Sequence, residues 1–438
     1  MQEKEPPSGP YAYYVVGVLM LAYMFAFIDR IILSLVIDPV RADLGLSETE
    51  ISLLAGFAFA AFYTLLGLPF GRWADTRGRR NLIAIGIALW SVATVACGLA
   101  NNFFKLFLAR MAVGVGEATL TPSAYSLIPD YFTAHRRAFA MAVFSCGITI
   151  GGGLALLLGG FIVEWATANA PVLPLLGQLK PWQFAFVAVG APGVLVALLV
   201  LLTVREPPRR LEAGASATAP KIGEVISYLF GHWRVFAPVI FGLTGMVVAG
   251  YAFNVWAPVY FMRVHAMSPG EVGVLFGLSF AVLGTLGVLF GGALSDRLSK
   301  AGRADAPVRV SLWAAWIQAP LFIGCYLSPS ALWAQILFGA ALFVASMYGG
   351  LQGAAVQSLT PNRMRGQVGA VYLTIANLVG LGLAPTMTAL MTENVFGGPM
   401  GVGKSLATTV AISLTIAVIL LTIALKPMRQ RVEALQAA

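Results

Sequence analysis

Gly71-Arg72-Trp73-Ala74-Asp75-Thr76-Arg77-Gly78-Arg79-Arg80 closes the second of a series of long apolar runs, and Gly292-Ala293-Leu294-Ser295-Asp296 closes the eighth. The two G-x-x-x-D segments lie 221 positions apart, close to half of the 438-residue chain. A second echo accompanies them: Arg137-Ala138 precedes the fifth run and Arg365-Gly366 the eleventh. One such match carries little weight. Duplicated at corresponding places, the pair indicates a parallel repeat of two equal halves.

The runs fall at about 12–37, 50–70, 81–100, 103–128, 138–163 and 183–204, then 236–262, 271–294, 308–328, 331–358, 367–391 and 405–425. Each is long enough for a helix to cross a bilayer, which takes about 20 residues. Composition agrees: 58% of residues are hydrophobic and 11% charged, with mean hydropathy +0.82. An ordinary soluble domain carries about 25% charged residues. The expected fold is an all-α membrane protein of twelve transmembrane helices in two pseudo-symmetric six-helix bundles, 1–204 and 235–438, joined by a linker at 205–234. Little chain remains for a soluble catalytic domain.

Basic residues orient the spans. With the N-terminus inside, 21 Lys and Arg fall on the cytoplasmic side and five on the other. That bias places both termini in the cytoplasm of a cell (inner or plasma) membrane protein. The polar Met1–Pro10 stretch lacks a basic n-region and a cleavage site, so the first run is expected to be a retained span. In the linker, Ile222, Val225, Ile226, Leu229 and Phe230 have the spacing of a short amphipathic helix that could lie at the membrane surface, with a plain helical connector as the simpler reading. Cys97, Cys146 and Cys325 lie far apart inside apolar runs, which predicts three buried thiols with neither disulfide nor metal spacing. No nucleotide loop, catalytic triad or nucleic-acid motif appears, and no cofactor is expected.

The Gly71–Arg80 segment resembles the signature loop between helices two and three of the major facilitator superfamily, with Thr76 where that family usually has a basic residue. Gly147-Ile-Thr-Ile-Gly151-Gly-Gly, followed by Gly159-Gly160, resembles its glycine-rich fifth helix, and Gly287-Val-Leu-Phe-Gly291 gives helix eight a matching face. The resemblance implies that these two helices meet across the bundle interface. It also implies alternating access to a substrate between the bundles, with Asp75, Arg79, Arg136, Asp296 and Arg365 as a cytoplasmic gate. Asp29-Arg30, Trp90-Ser91, Arg110-Met-Ala-Val-Gly-Val-Gly-Glu117-Ala, Asp130-Tyr131-Phe132 and Arg205-Glu-Pro-Pro208 are similar to the spinster branch. That branch implies an amphiphilic lipid anion, such as a lysolipid or sphingoid phosphate, as substrate, and protons as coupling ion. Membrane lipids and protons are then the expected partners of a monomer.

Four ionisable residues lie well inside spans: Asp29, Arg30, Arg110 and Glu117. A charge at membrane depth costs several kcal/mol, so such residues face a cavity or one another. Seven positions separate Arg110 from Glu117, which returns them to nearly one helix face about 10 Å apart. Fully ionised, the cluster is neutral; with Glu117 protonated it carries a net positive charge that an arginine's forked donors can offer to a phosphate or carboxylate. A static buried network is the competing reading. The second half has no charge deep in its spans and offers Tyr251, Asn254, Trp256 and Tyr348 as cavity-lining candidates. Three functions fit: a proton-coupled carrier of an amphiphilic anion, the same machine carrying a small organic anion, or an uncoupled sensor or lipid scramblase.

Overall fold

Lipid offers the backbone no hydrogen-bond partner, so an apolar run must close its own N–H···O=C bonds by coiling. The computed structural model describes residues 9–76, 78–174, 176–208, 222–361 and 364–437. Among them, 11 helices are long and apolar enough to cross a membrane: Pro10–Leu35, Glu48–Gly67, Arg79–Gly98, Phe139–Asn169, Pro181–Thr203, Trp233–His265, Pro269–Lys300, Ala306–Leu327, Ala331–Ser358, Arg365–Asn394 and Pro399–Leu435. The remaining expected run is also helical, but broken into Phe103–Glu117 and Leu120–Tyr131. Together they complete the twelve-helix architecture. Pro122 has no N–H to continue the ladder, and the Thr119 hydroxyl and amide both bond back to the Gly116 carbonyl, at 2.8 and 3.2 Å. The break therefore falls directly after Glu117.

The helices group into two compact units, Met1–Leu211 with Ala266–Leu278, and Glu212–His265 with Ser279–Ala438. The stretch Ala266–Leu278, beyond the linker in sequence, thus packs with the first unit. Just after it, the eighth span loosens into a π-turn at Phe280–Gly284, and the eleventh does the same at Leu378–Leu383. The β structure of the described residues is one antiparallel pair, Val172–Leu173 with Gly177–Gln178.

Within the first unit, glycines set how closely the helices approach. A Cβ on Gly147 would stand 2.8 Å from the Met20 carbonyl oxygen, and one on Gly151 2.7 Å from the Met24 Cα, so the fifth helix lies directly on the first. Gly153 and Gly277 meet similarly, at 3.1 and 3.0 Å from each other's carbonyl oxygens. The small-residue face at Gly287 and Gly291, expected to meet the fifth helix, lies elsewhere. It packs on the backbone of Phe343 and Met347 in the tenth span, inside the second unit, because a small-residue face serves any neighbour that comes close enough. Another expectation is corrected at Cys146, whose side chain is exposed while Cys97 and Cys325 are buried. Apolar surroundings in sequence do not distinguish a helix face turned to its neighbours from one turned to lipid.

At the end of the second unit, Asp305 is fully buried before the ninth span and accepts from Arg309 at 2.6 Å and Arg429 at 3.3 Å. Burial pushes its carboxyl up, but the Arg309 hydrogen bond and the two positive charges outweigh this and hold it below the usual carboxylate range. A depressed folded-state value gives stability that is present above the unfolded value of about 3.9 and lost as pH falls through the folded one. Asp305→Asn should therefore lower Tm at neutral pH. It should also flatten the acid limb of Tm against pH below about 4, where the wild type loses this contribution. Parallel wild-type and mutant curves would exclude Asp305 as a stabilising acid.

Candidate functional site

The fourth helix positions the site through its glycines. Gly114 lies against the Phe59 backbone, with a virtual Cβ 2.6 Å from that carbonyl oxygen. Gly116 and Gly86 cross so closely that a Cβ on either would meet the other's carbonyl at 2.8 Å. Val-Gly-Val-Gly-Glu117 thereby sinks between the second and third spans, and Glu117, the last residue of Phe103–Glu117, is buried.

There Arg30 Nη2 donates to Glu117 Oε2 at 2.6 Å, with side chains 11% and 1% exposed. The guanidinium lies among three rings, with centroids of Phe27, Phe59 and Tyr63 at 4.7, 4.5 and 5.0 Å. Ring quadrupoles favour a cation in such a box, and a planar guanidinium stacks where an ammonium would not. Glu117 Oε1 is buried without a hydrogen-bond partner among the described residues. The pair is strongly held on one oxygen and leaves acceptor capacity on the other.

Arg110 is fully buried and bonds main chain only: Nε donates to the Leu54 carbonyl and Nη1 to the Asp29 carbonyl, both at 3.2 Å. Leu54 lies in the last turn of the helix Glu48–Ala55, and Asp29 in the last turn of Pro10–Ile31 before it tightens into a 3-10 turn. Arg110 therefore caps two helix C-termini, where orphan carbonyls and the dipole favour a cation. Its Nη2 has no partner among the described residues. The Asp29 carboxyl is also fully buried, flanked by the Thr94 hydroxyl and the Trp90 indole N–H.

All four intramembrane charges thus gather in the first unit, but as unequal members. Arg30 and Glu117 form the ion pair, Arg110 clamps backbone, and Asp29 is a buried acid beside Thr94 and Trp90. The aromatic box was not among the sequence candidates. Its signal was present: Phe27 precedes Arg30 by three positions, and Phe59 and Tyr63 are four apart on one helix face.

The gate candidates separate. Arg79 is buried and turns its donors inward, pairing with Asp130 and bonding Glu206 Oε1 at 2.7 Å, the Ser126 carbonyl at 2.8 Å and the Pro207 carbonyl at 3.2 Å. The Arg80 amide donates to Glu206 Oε2 at 2.8 Å, and the Tyr131 hydroxyl donates to the Arg205 carbonyl. Arg79 is thus a rivet inside the first unit. Arg365 Nε bonds the Gln357 and Thr360 carbonyls at 3.2 Å, closing the end of the preceding helix. Arg136 and Asp296 are exposed, and the Asp75 side chain lies outside the described residues. Of the lining candidates, Trp256 and Tyr348 are buried in the second unit. Trp256 Nε1 donates to the Pro385 carbonyl at 2.9 Å and the Tyr348 hydroxyl to that of Met246 at 3.0 Å, so both serve packing. Tyr251 and Asn254 are half-buried. No group of three or more metal-ligating side chains occurs among the described residues.

The Major Facilitator Superfamily model matches residues 19–385. The chain belongs to that superfamily. Its members are transporters, not enzymes. An "MFS-type efflux pump" of Mycolicibacterium smegmatis is 30% identical over 91% of this chain and 89% of the relative. The hexuronate transporter of Bacillus subtilis is 24% identical over 86% of this chain and 87% of its own. A crystal structure described as a bacterial homolog to the human lysosomal transporter spinster, inward-facing and unoccupied, superposes with TM-score 0.81 at 28% identity, covering 98% of each chain. The chain is a multi-pass membrane transporter of the spinster branch, as the motifs of its first half implied.

Proposed function

We propose that this major facilitator carries an amphiphilic anion of the lysolipid or sphingoid-phosphate kind by alternating access, coupled to protons through Glu117. The observation that carries the reading is the Arg30–Glu117 pair at 2.6 Å, set in an aromatic box and shielded from water. Protonating Glu117 removes Arg30's counter-charge and leaves a forked cation for a phosphate or carboxylate. The surrounding rings suit the hydrocarbon next to such a headgroup. Likeness to a spinster homolog fits the branch whose resemblance implies the lipid class.

A second reading replaces the lipid by a small organic anion. It is favoured by the hexuronate transporter among the relatives, because a sugar acid offers Arg30 the same carboxylate. Proteoliposomes with an imposed pH gradient test both. Gradient-driven uptake is expected; passive equilibration alone would leave a scramblase or sensor. Competition by lysolipid supports the first reading, and competition by short carboxylates alone the second.

Both termini and the 205–234 linker are assigned to the cytoplasm from the basic-residue bias. Cysteines introduced at Lys4 and Ser216 should resist an impermeant maleimide added to intact cells and react after permeabilisation. Labelling from outside reverses the topology.

A further inference from the structure

The helix Ile222–Gly231 is separated from the seventh span by one residue, His232, and carries three distinct faces. At about 100° of rotation per residue, Val225, Tyr228, Leu229 and His232 share the first. This face is docked on the second unit. Val225 is buried, the Tyr228 hydroxyl donates to the Leu359 carbonyl at 2.8 Å and accepts from Arg431 Nη2 at 2.7 Å, and its ring packs tilted against His232 and edge-on against Phe236. Glu224, Ser227 and Gly231 form the second face and border a groove with Met364.

Ile226 and Phe230 form the third face, one turn apart and pointing away from that groove. They are 46% and 72% exposed, and Trp233 continues the stripe at 58%. Eight residues further along the seventh span, within about 80° of Trp233 on the same helix, Phe241 is also exposed. The stripe is therefore continuous with the outer surface of a membrane-spanning helix. Arg234, exposed and within 5.9 Å of the Trp233 ring, lies beside it on the polar side.

We infer that Ile222–Gly231 is an interfacial helix. Its Ile226/Phe230/Trp233 stripe is sunk at the headgroup–acyl boundary of the leaflet where the seventh span begins, and Arg234 engages anionic lipid headgroups there. An aromatic at the rim, a cation beside it and polar residues on the face away from lipid are what a helix lying in that layer requires. The bilayer is the occupant to which the continuous stripe points; a protein surface or water are the alternatives that experiment separates.

The test uses the full-length protein with Cys146→Ser, leaving Cys97 and Cys325 buried, and a nitroxide at Ile226→Cys, Ser227→Cys or Phe230→Cys. It is reconstituted in phosphatidylcholine vesicles with or without phosphatidylglycerol. Labels at 226 and 230 should collide several-fold more with oxygen than with a water-soluble nickel chelate, and the label at 227 should do the reverse. Phosphatidylglycerol should deepen 226 and 230, and Arg234→Glu should abolish that deepening. Strong chelate collision at 226 and 230 means water covers the stripe, and weak collision with both reagents means protein does. Either result overturns the inference. Depth indifferent to phosphatidylglycerol overturns the role of Arg234.

Discussion

Glu117→Gln is expected to abolish transport driven by a pH gradient while anionic ligand still binds, and binding should no longer vary with pH. Glutamine keeps the shape of a protonated glutamate and can still accept from Arg30 through its amide oxygen. It cannot supply the negative charge that competes with substrate for the guanidinium. In the wild type, affinity for the anion should rise as pH falls, because each protonation of Glu117 frees Arg30. Arg30→Ala should lose binding outright, since it removes the headgroup partner and strands Glu117 as a buried unpaired acid, a change costing about 3–5 kcal/mol in comparable pairs. Arg30→Lys should fail nearly as badly, because a compact ammonium neither forks to two oxygens nor stacks among Phe27, Phe59 and Tyr63. The measurements are ligand affinity against pH in nanodiscs and gradient-driven flux in liposomes. Wild-type pH dependence in Glu117→Gln would transfer the switch to Asp29, and unaltered coupled flux would sink the mechanism.

The second large effect is structural. Arg79→Ala should destabilise the first unit by about 3 kcal/mol or more, since it removes a buried ion-pair partner of both Asp130 and Glu206 at once. It also removes a donor from the Ser126 and Pro207 carbonyls. The expected readout is a clear fall in detergent Tm. Glu206→Gln should cost much less, because that side chain is partly exposed and water replaces what it loses. An unchanged Tm in Arg79→Ala would return this arginine to the gate.

Twelve helices and their order were legible because membrane-scale apolar runs admit one solution, and the buried charges stood out as isolated letters within them. The spinster-like fragments around Arg79, Asp130 and Arg205–Pro208 were visible as well. Their convergence on one rivet was not, because side chains 51 and 127 positions apart are joined only by the packing of two helices and the segment that follows a third. Burial of Trp256 and exposure of Cys146 were hidden for a related reason. Along a span that is apolar all round, periodicity no longer marks which face meets protein. The broken fourth helix was written at Pro122 and Thr119, but hydropathy alone passes over a break that keeps its apolar content.

Arg110 has a consequence for how mutational data on this chain should be interpreted. Both of its hydrogen bonds end on carbonyls of the main chain, at Leu54 and Asp29. Replacing either of those side chains leaves the carbonyl in place, so an alanine scan registers the clamp at one position and is blind to its other two. A phenotype at Asp29→Ala consequently reports the carboxyl alone, and a silent Leu54→Ala says nothing against the contact. Only changes to the peptide linkage itself, such as an ester substituted for the amide whose carbonyl is gripped, would reveal the three-point connection.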